Sequence, residues 1–290
     1  MKKLSLIVIF LTMTLPAFAQ IENREGILDV QRKAGTALEF DGIDDVVTVG
    51  PFTALYANTI EGWIKSTGKE KGTIFANGGG PTATCTQGII LRISDAELCY
   101  DLNPAKCGTD GEVCYTADLT GQWTHFAGTY DGNTANLFIN GQRVKTMSGM
   151  SFDSGDWSTL GGLQFYNGFQ SFFQGELDEL RVWNVSRTEE EIRSTMYKRL
   201  LGNETGLVAY WTFDEGQGQT VHESIYGQFD GVLGTTDQIE STDPRWIPSD
   251  APLSCRTDDC LDPKPHGPPG EFLKRSFIQF EITDDSIILI

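Results

Sequence analysis

The chain has 290 residues and carries 40 Asp and Glu against 22 Lys and Arg, a formal net charge of −18. That balance argues against nucleic-acid binding, which needs clustered Lys and Arg on phosphates, and against docking on an anionic membrane surface. Carboxylate oxygens can instead hold a hard cation such as Ca²⁺. Hydrophobic residues make up 39% and aromatics 11%, with 32 Gly against 11 Pro, so the chain can bury a core.

Met1-Lys2-Lys3 is a basic start, residues 4–15 form an apolar run, and Pro16-Ala17-Phe18-Ala19 places small residues where a signal peptidase cuts. Residues 1–19 are therefore expected to be a signal peptide cleaved before Gln20. The protein is expected to be secreted or at the cell surface. No later segment approaches the ~18 continuous apolar residues of a membrane span, so membrane insertion is not expected.

From residue 36 the pattern is one of short alternating stretches broken by Gly, Asn and Asp. It predicts strands over 36–41, 45–49, 58–65, 72–76, 88–93, 97–102, 112–116, 123–130, 134–140, 160–166, 172–183 and 206–213. Asp131-Gly132 and Asn140-Gly141 are turn dipeptides, because glycine accepts positive φ. About a dozen strands with little helix predict an all-β, two-sheet antiparallel sandwich. One short helix is predicted after Thr188, with Glu191 completing a capping box and Gly202 as the stop. Its apolar residues Ile192, Met196 and Leu200 form one stripe, which makes it a lid. The predicted organisation is one domain over 20–253 and a Pro/Gly-rich tail over 254–290.

Six cysteines in an exported chain predict disulfides rather than zinc, since no CxxC pair occurs. Folding the hairpins back suggests Cys85–Cys107 and Cys99–Cys114, with Cys255–Cys260 closing a small loop. The alternative pairing is Cys107–Cys114 with Cys85–Cys99.

Four segments occur in a familiar order: Ala37 to Val49 (ALEFDGIDDVVTV), Thr59 to Lys65 (TIEGWIK), Trp123 to Gly132 (WTHFAGTYDG) running into Leu137 to Gly141, and Gly175 to Asn184 (GELDELRVWN). Together they resemble the LamG-like jelly-roll domain of the concanavalin A-like lectin/glucanase superfamily, which includes laminin G and pentraxin domains. The likeness covers residues 36–201. Gly206 to Gly216 (GLVAYWTFDEG) also resembles that family, where such a segment precedes the FDG strand. Here it follows the domain, so 206–253 either closes the same sandwich or begins a second one. About 45 residues cannot hold a second core, which favours closure.

The resemblance implies calcium near Asp41 and Asp178, and the turn Asp41-Gly42-Ile43-Asp44-Asp45 adds Asp45 as a third metal candidate. Strand parity places Asp178 with Leu180 and Val182, facing the interior, where an unpaired carboxylate is costly. The alternative is that Asp41 and Asp45 cap turns and Asp178 accepts backbone N–H groups. Glucanase relatives carry an E-x-D-x-E strand, but here the third position is Leu180 and parity puts Glu179 on the opposite face, so no catalysis is expected. For ligand contact the candidates are Trp63, with a core position as the alternative, and Phe169 near the Asn167-Gly168 turn. The glycine-rich 77–81 segment lacks a P-loop lysine and is no phosphate cradle. The expected role is non-catalytic recognition of a glycan or a surface protein, with calcium possible. The alternatives are a structural or adhesive spacer and a degenerate glycoside hydrolase.

Overall fold

The computed structural model describes residues 35–50, 52, 55–67, 71–83, 88–103, 111–150, 155, 157–236, 238–253, 280–283 and 286–289. The expected signal peptide, Cys85, Cys107, Cys255 and Cys260 lie outside the described residues. The strands fall into two units divided after Asp258. The second contains one hairpin, Phe280–Thr283 with Ser286–Leu289.

The first unit is a sandwich of two antiparallel sheets. Sheet A contains β1 (Thr36–Asp41), β3 (Asn58–Ser66), β8 (Thr124–Tyr130), β9 (Thr134–Ile139), β10 (Gln142–Ser148), β14 (Gln174–Trp183), β15 (Leu207–Trp211) and β18 (Arg245–Pro248). Its order is β10-β9-β8-β3-β14-β1-β18, with β15 on the C-terminal half of β14. Sheet B contains β2 (Val47–Val49), β4 (Gly72–Asn77), β5 (Gly88–Ser94), β6 (Glu97–Asn103), β7 (Glu112–Thr116), β11 (Ser158–Leu160), β16 (Thr220–Val221) and β17 (Gly231–Leu233). Its order is β16-β17-β2-β11-β4-β5-β6-β7. Residues 206–253 thus contribute strands to both sheets.

The core follows from period-two alternation. Leu38 and Phe40 of β1, Ile60 and Ile64 of β3, and Leu91 and Ile93 of β5 all enter one buried cluster between the sheets. Gly128 of β8 leaves room for the Tyr100 ring from the opposite sheet, where any Cβ would collide with it. The buried Tyr100 hydroxyl then donates to Asn58 Oδ1 at 2.6 Å, tying the sheets by a satisfied polar pair.

Two predicted strands are broken by local geometry. The 160–166 stretch is split at Gly161-Gly162 into β11 and a separate hairpin, β12 (Leu163–Phe165) with β13 (Gly168–Gln170). Leu163 and Phe165 of that hairpin pack on Ala76 and Ile90, the outer face of sheet B. In β14 the register against β3 jumps from Asp178↔Trp63 to Arg181↔Glu61, and Glu179 has φ 52. This is a β-bulge, with one extra residue in the left-handed region. It shifts the alternation, so Leu177 and Leu180 both enter the core. Asp178 and Glu179 are left on the outer side. The parity that grouped Asp178 with Leu180, and that put Glu179 opposite, is corrected by that inserted residue.

The helix α1 (Glu189–Thr195) starts at Thr188, and both hydrogen bonds of the capping box are present. It ends at Met196, earlier than the apolar stripe suggested. The reason lies on the outer face of sheet A. Arg181 donates to the carbonyls of Thr195 (3.1 Å) and Lys198 (2.5 Å), and Trp63 Nε1 donates to that of Met196 (2.8 Å). These sheet donors take carbonyls that another helical turn would need. Ile192, Met196 and Leu200 are nevertheless all buried. Among the described residues no helix is long and apolar enough to cross a membrane.

Candidate functional site

One group of candidate binding residues lies on the outer face of sheet B. Thr48 of β2 and Val232 of β17 are direct cross-strand partners there. Beside them stand Trp157, just before β11, Gln164 and Phe169 of the β12–β13 hairpin, and Gly234-Thr235-Thr236 after β17. Together they line an open pocket of about 350 Å³, at the small end of ligand-sized cavities.

Gln164 and Phe169 are opposite one another in the hairpin, so an amide and a phenyl ring project from the same face. Phe169 is half-buried. The glycine-rich segment positions this wall. Gly78 N–H donates to the Trp157 carbonyl (2.8 Å) and Gly80 N–H to the Gln164 carbonyl (2.9 Å). Gly79 has φ +82, and a Cβ there would strike the Gln164 carbonyl oxygen. Two polar side-chain atoms of the pocket residues, Trp157 Nε1 and Gln164 Oε1, are buried with no partner. One is a donor and the other an acceptor. Leaving such atoms unmatched costs roughly 1–3 kcal/mol each.

The second site is the acidic turn. Carboxylate oxygens of Asp41, Asp44 and Asp45 lie within 4.8 Å of one another. Asp41 Oδ1 accepts from the N–H of Ile43 (2.7 Å), and Asp45 Oδ2 from the N–H of Asp41 (2.6 Å). Burial pushes the Asp45 carboxyl up to about 7, with added repulsion from Asp41, Asp44 and Asp243. Asp243 is buried too. Its Oδ2 accepts from Glu240 N–H (2.6 Å) and Gln219 Nε2 (2.9 Å), while Oδ1 has no partner. Hard oxygens around an under-neutralised carboxylate fit a cation of the calcium type.

Asp178 does not join that turn. Asp41 is paired with Gln174, and Asp178 lies four residues further along β14, about 13 Å away at the rise of a strand. Its Oδ2 accepts from Ser249 Oγ at 2.6 Å and its Oδ1 has no partner. Burial, then the Glu179 charge, raises its pKa well above the usual range. Trp63 is only 2% exposed. It lies neither between the sheets nor at the surface, but beneath the segment after α1, against His125 and Tyr197 with ring centroids 5.3 and 5.5 Å away. It offers no face to a ligand.

Each carboxylate of the glucanase-like stretch has a neighbour as partner, Ser249 in the case of Asp178. Glu179 accepts from Arg181 (2.8 Å) and the Tyr210 hydroxyl (2.5 Å), and Glu176 pairs with Lys65 (3.3 Å). Of the cysteines, Cys99 and Cys114 form a disulfide between directly paired positions of β6 and β7.

Sequence reasoning reached Phe169 but passed over Trp157, Gln164 and the two threonines. Trp157 did leave a signal: it is the one aromatic within the polar stretch from Asp153 to Thr159.

Two antiparallel sheets packed as a sandwich, with one short helix among the described residues, make a jelly roll. Residues 41–193 match the profile of the concanavalin A-like lectin/glucanases superfamily, of laminin G type, and the chain belongs to that family. It is 34% identical over 90 residues to pappalysin-1 of Mus musculus, covering 28% of this chain and 5% of that protein. To pappalysin-1 of Homo sapiens it is 34% identical over 87 residues, covering 27% and 5%. This chain therefore matches only a small part of those relatives. Among solved structures it resembles a proposed carbohydrate binding protein from Bacteroides ovatus, with TM-score 0.58 and 22% identity over 77% of this chain and 62% of that one. At that identity the likeness concerns the fold.

Proposed function

We propose that this sandwich is a non-catalytic recognition module of an exported protein and that it binds a glycan in the pocket on sheet B. The observation that carries the reading is an open pocket that sets the half-buried Phe169 ring beside the polar lining residues Thr48, Gln164, Thr235 and Thr236. A sugar presents hydroxyls that both donate and accept, and an apolar ring face that suits an aromatic side chain. The Cys99–Cys114 disulfide supports an oxidising compartment. The ion pairing of Glu176 with Lys65 and of Glu179 with Arg181 speaks against hydrolysis.

The test is a printed glycan array probed with the folded protein, followed by titration calorimetry on the strongest oligosaccharide. Phe169→Ala should abolish binding without changing the thermal midpoint by more than a few degrees. Retention of full affinity by that variant would remove the pocket from the reading. A protein that binds no glycan would return the spacer or protein-partner alternatives, and reducing sugar released from a β-glucan would return the hydrolase.

A second reading concerns calcium, and is favoured by the unpartnered Asp243 Oδ1 and the strained protonation of Asp45. Asp41, Asp44 and Asp45 would supply the ligands, without Asp178. The ion would neutralise this turn, which connects β1 to β2, the strand that carries Thr48.

A further inference from the structure

Period-two alternation puts Glu97, Cys99 and Asp101 of β6 on one face of sheet B. Across the ladder Cys99 faces Cys114 of β7, and Asp101 faces Glu112. Ligand atoms of Glu97, Cys99 and Cys114 lie within 4.8 Å of one another, and so do those of Asp101, Glu112 and Cys114. We infer that reduction of the Cys99–Cys114 bridge uncovers a metal site, in which the two thiolates and the flanking carboxylates hold a thiophilic divalent cation of the zinc type. Both thiols come from facing strands, which is why the sequence shows no CxxC pair.

Zinc takes thiolate sulfur at about 2.3 Å and carboxylate oxygen at about 2.0–2.2 Å, so ligand atoms already this near need only side-chain rotation to close on it. Thiolates select such a metal over calcium. Asp101 adds a separate observation. It is only 2% exposed, and its Oδ1 is buried with no partner. Its Oδ2 accepts from Arg92 Nε, and Arg92 also reaches Glu112 at 3.2 Å. Glu97 Oε1 accepts from Thr116 Oγ1 at 3.1 Å. One guanidinium thus serves two carboxylates and leaves an acceptor over. β7 ends the strand order of sheet B and Cys114 is half-buried, so a reductant and a metal can approach from that edge. A dithiol breaks the S–S bond by exchange: two electrons and two protons pass to the sulfurs, and the reductant leaves as its own disulfide. The cation then displaces those two protons as two metal–sulfur bonds form.

The experiment reduces the folded protein with a phosphine, desalts it without oxygen and titrates Zn²⁺ against a chromophoric chelator. The expected result is zinc bound by the reduced protein beyond that bound by reduced Cys99→Ser/Cys114→Ser, a variant that keeps every other cysteine. The oxidised protein should bind at least about tenfold more weakly, having no thiolate to offer. Co²⁺ in place of zinc should give thiolate charge-transfer absorption that the double variant lacks. Asp101→Asn should weaken zinc by about tenfold, the lower end of what a supporting group of a metal site contributes. Millimolar Ca²⁺ should not displace the zinc. Circular dichroism follows folding throughout, and a chain that reduction unfolds should refold on zinc. Equal zinc binding by the reduced protein and the double variant, or by the oxidised and reduced forms, would overturn the inference. So would displacement by Ca²⁺, or a reduced chain that neither binds zinc nor refolds with it. Unchanged affinity in Asp101→Asn would overturn the part given to that carboxylate.

Discussion

Glu61 and Arg187 meet at 2.6 Å beneath helix α1, and both side chains are buried. Glu61 Oε1 also accepts from Trp183 Nε1 at 3.0 Å, and Arg187 donates to the Glu191 carbonyl at 2.8 Å while stacking on the Trp183 ring. The pair therefore fastens the helix to the outer face of sheet A. Removing one partner leaves an uncompensated buried charge, which costs about 3–5 kcal/mol. Glu61→Leu is expected to lower the urea midpoint by that amount at unchanged slope. The double variant Glu61→Leu/Arg187→Met should recover part of the loss, because neither charge is then left unmatched. A double variant less stable than the single one would contradict this account.

His125 is fully buried on the same face, and neither ring nitrogen has a partner. Burial, then the nearby Arg181 and Arg187 charges, lowers its pKa well below the usual 6.5. The folded form thus resists a proton that the unfolded chain takes up. Its contribution to stability is complete above pH 6.5 and is lost as pH falls below that value. Unfolding midpoints measured from pH 8 to 5 should show this loss. His125→Phe, which keeps a ring against Trp63, should remove that part of the slope.

Asp45 works in the opposite direction. Its folded pKa of about 7 lies above the ordinary 3.8, so the folded form holds the proton more tightly and its charge penalty is relieved as pH falls from 7 toward 4. A calcium ion at the acidic turn would have to displace that proton. Millimolar Ca²⁺ is therefore expected to raise the thermal midpoint more at pH 8 than at pH 6, since an ion that binds only the folded chain stabilises it. Asp45→Asn should remove the calcium-dependent increment. A midpoint indifferent to Ca²⁺ at both pH values would dismiss the metal.

The Cys99–Cys114 bridge spans 15 residues. Closing a loop of that length in the unfolded chain is worth about 3 kcal/mol in the chain-entropy model. Cys99→Ser/Cys114→Ser should lose stability on that scale when unfolding is followed by denaturant. The bridge lies on β6 and β7, away from the strands that line the pocket, so glycan affinity should be retained.

Much of the sandwich could be read directly from the residues, for a physical reason. Strands such as β3 and β5 bury alternate apolar residues, and their predicted limits fall within a residue of those observed. β10 escaped because five of its seven residues are exposed and leave no apolar alternation. The bulge in β14 was hidden, since an inserted residue changes every later orientation without altering composition. That shift also explains why Asp178 was assigned to the wrong side. Asp41 and Asp45 could be grouped because they are neighbours in the chain. The pocket could not, as it draws Thr48, Trp157, Gln164, Phe169 and Gly234 from separate segments that only the sheet order assembles. Trp63 illustrates the same limit: its strand told which residues share its side, but not that the distant α1 region covers that side.

Thr36 lies opposite Pro248 in the β1–β18 pairing. The first and last strands of the described sandwich residues thus bring these two positions face to face at one corner. A unit built so can be spliced into a surface loop of a larger protein, or cut out of one, without prying the host's own ends apart. It also means that circular permutants rejoined across that corner need only a short peptide.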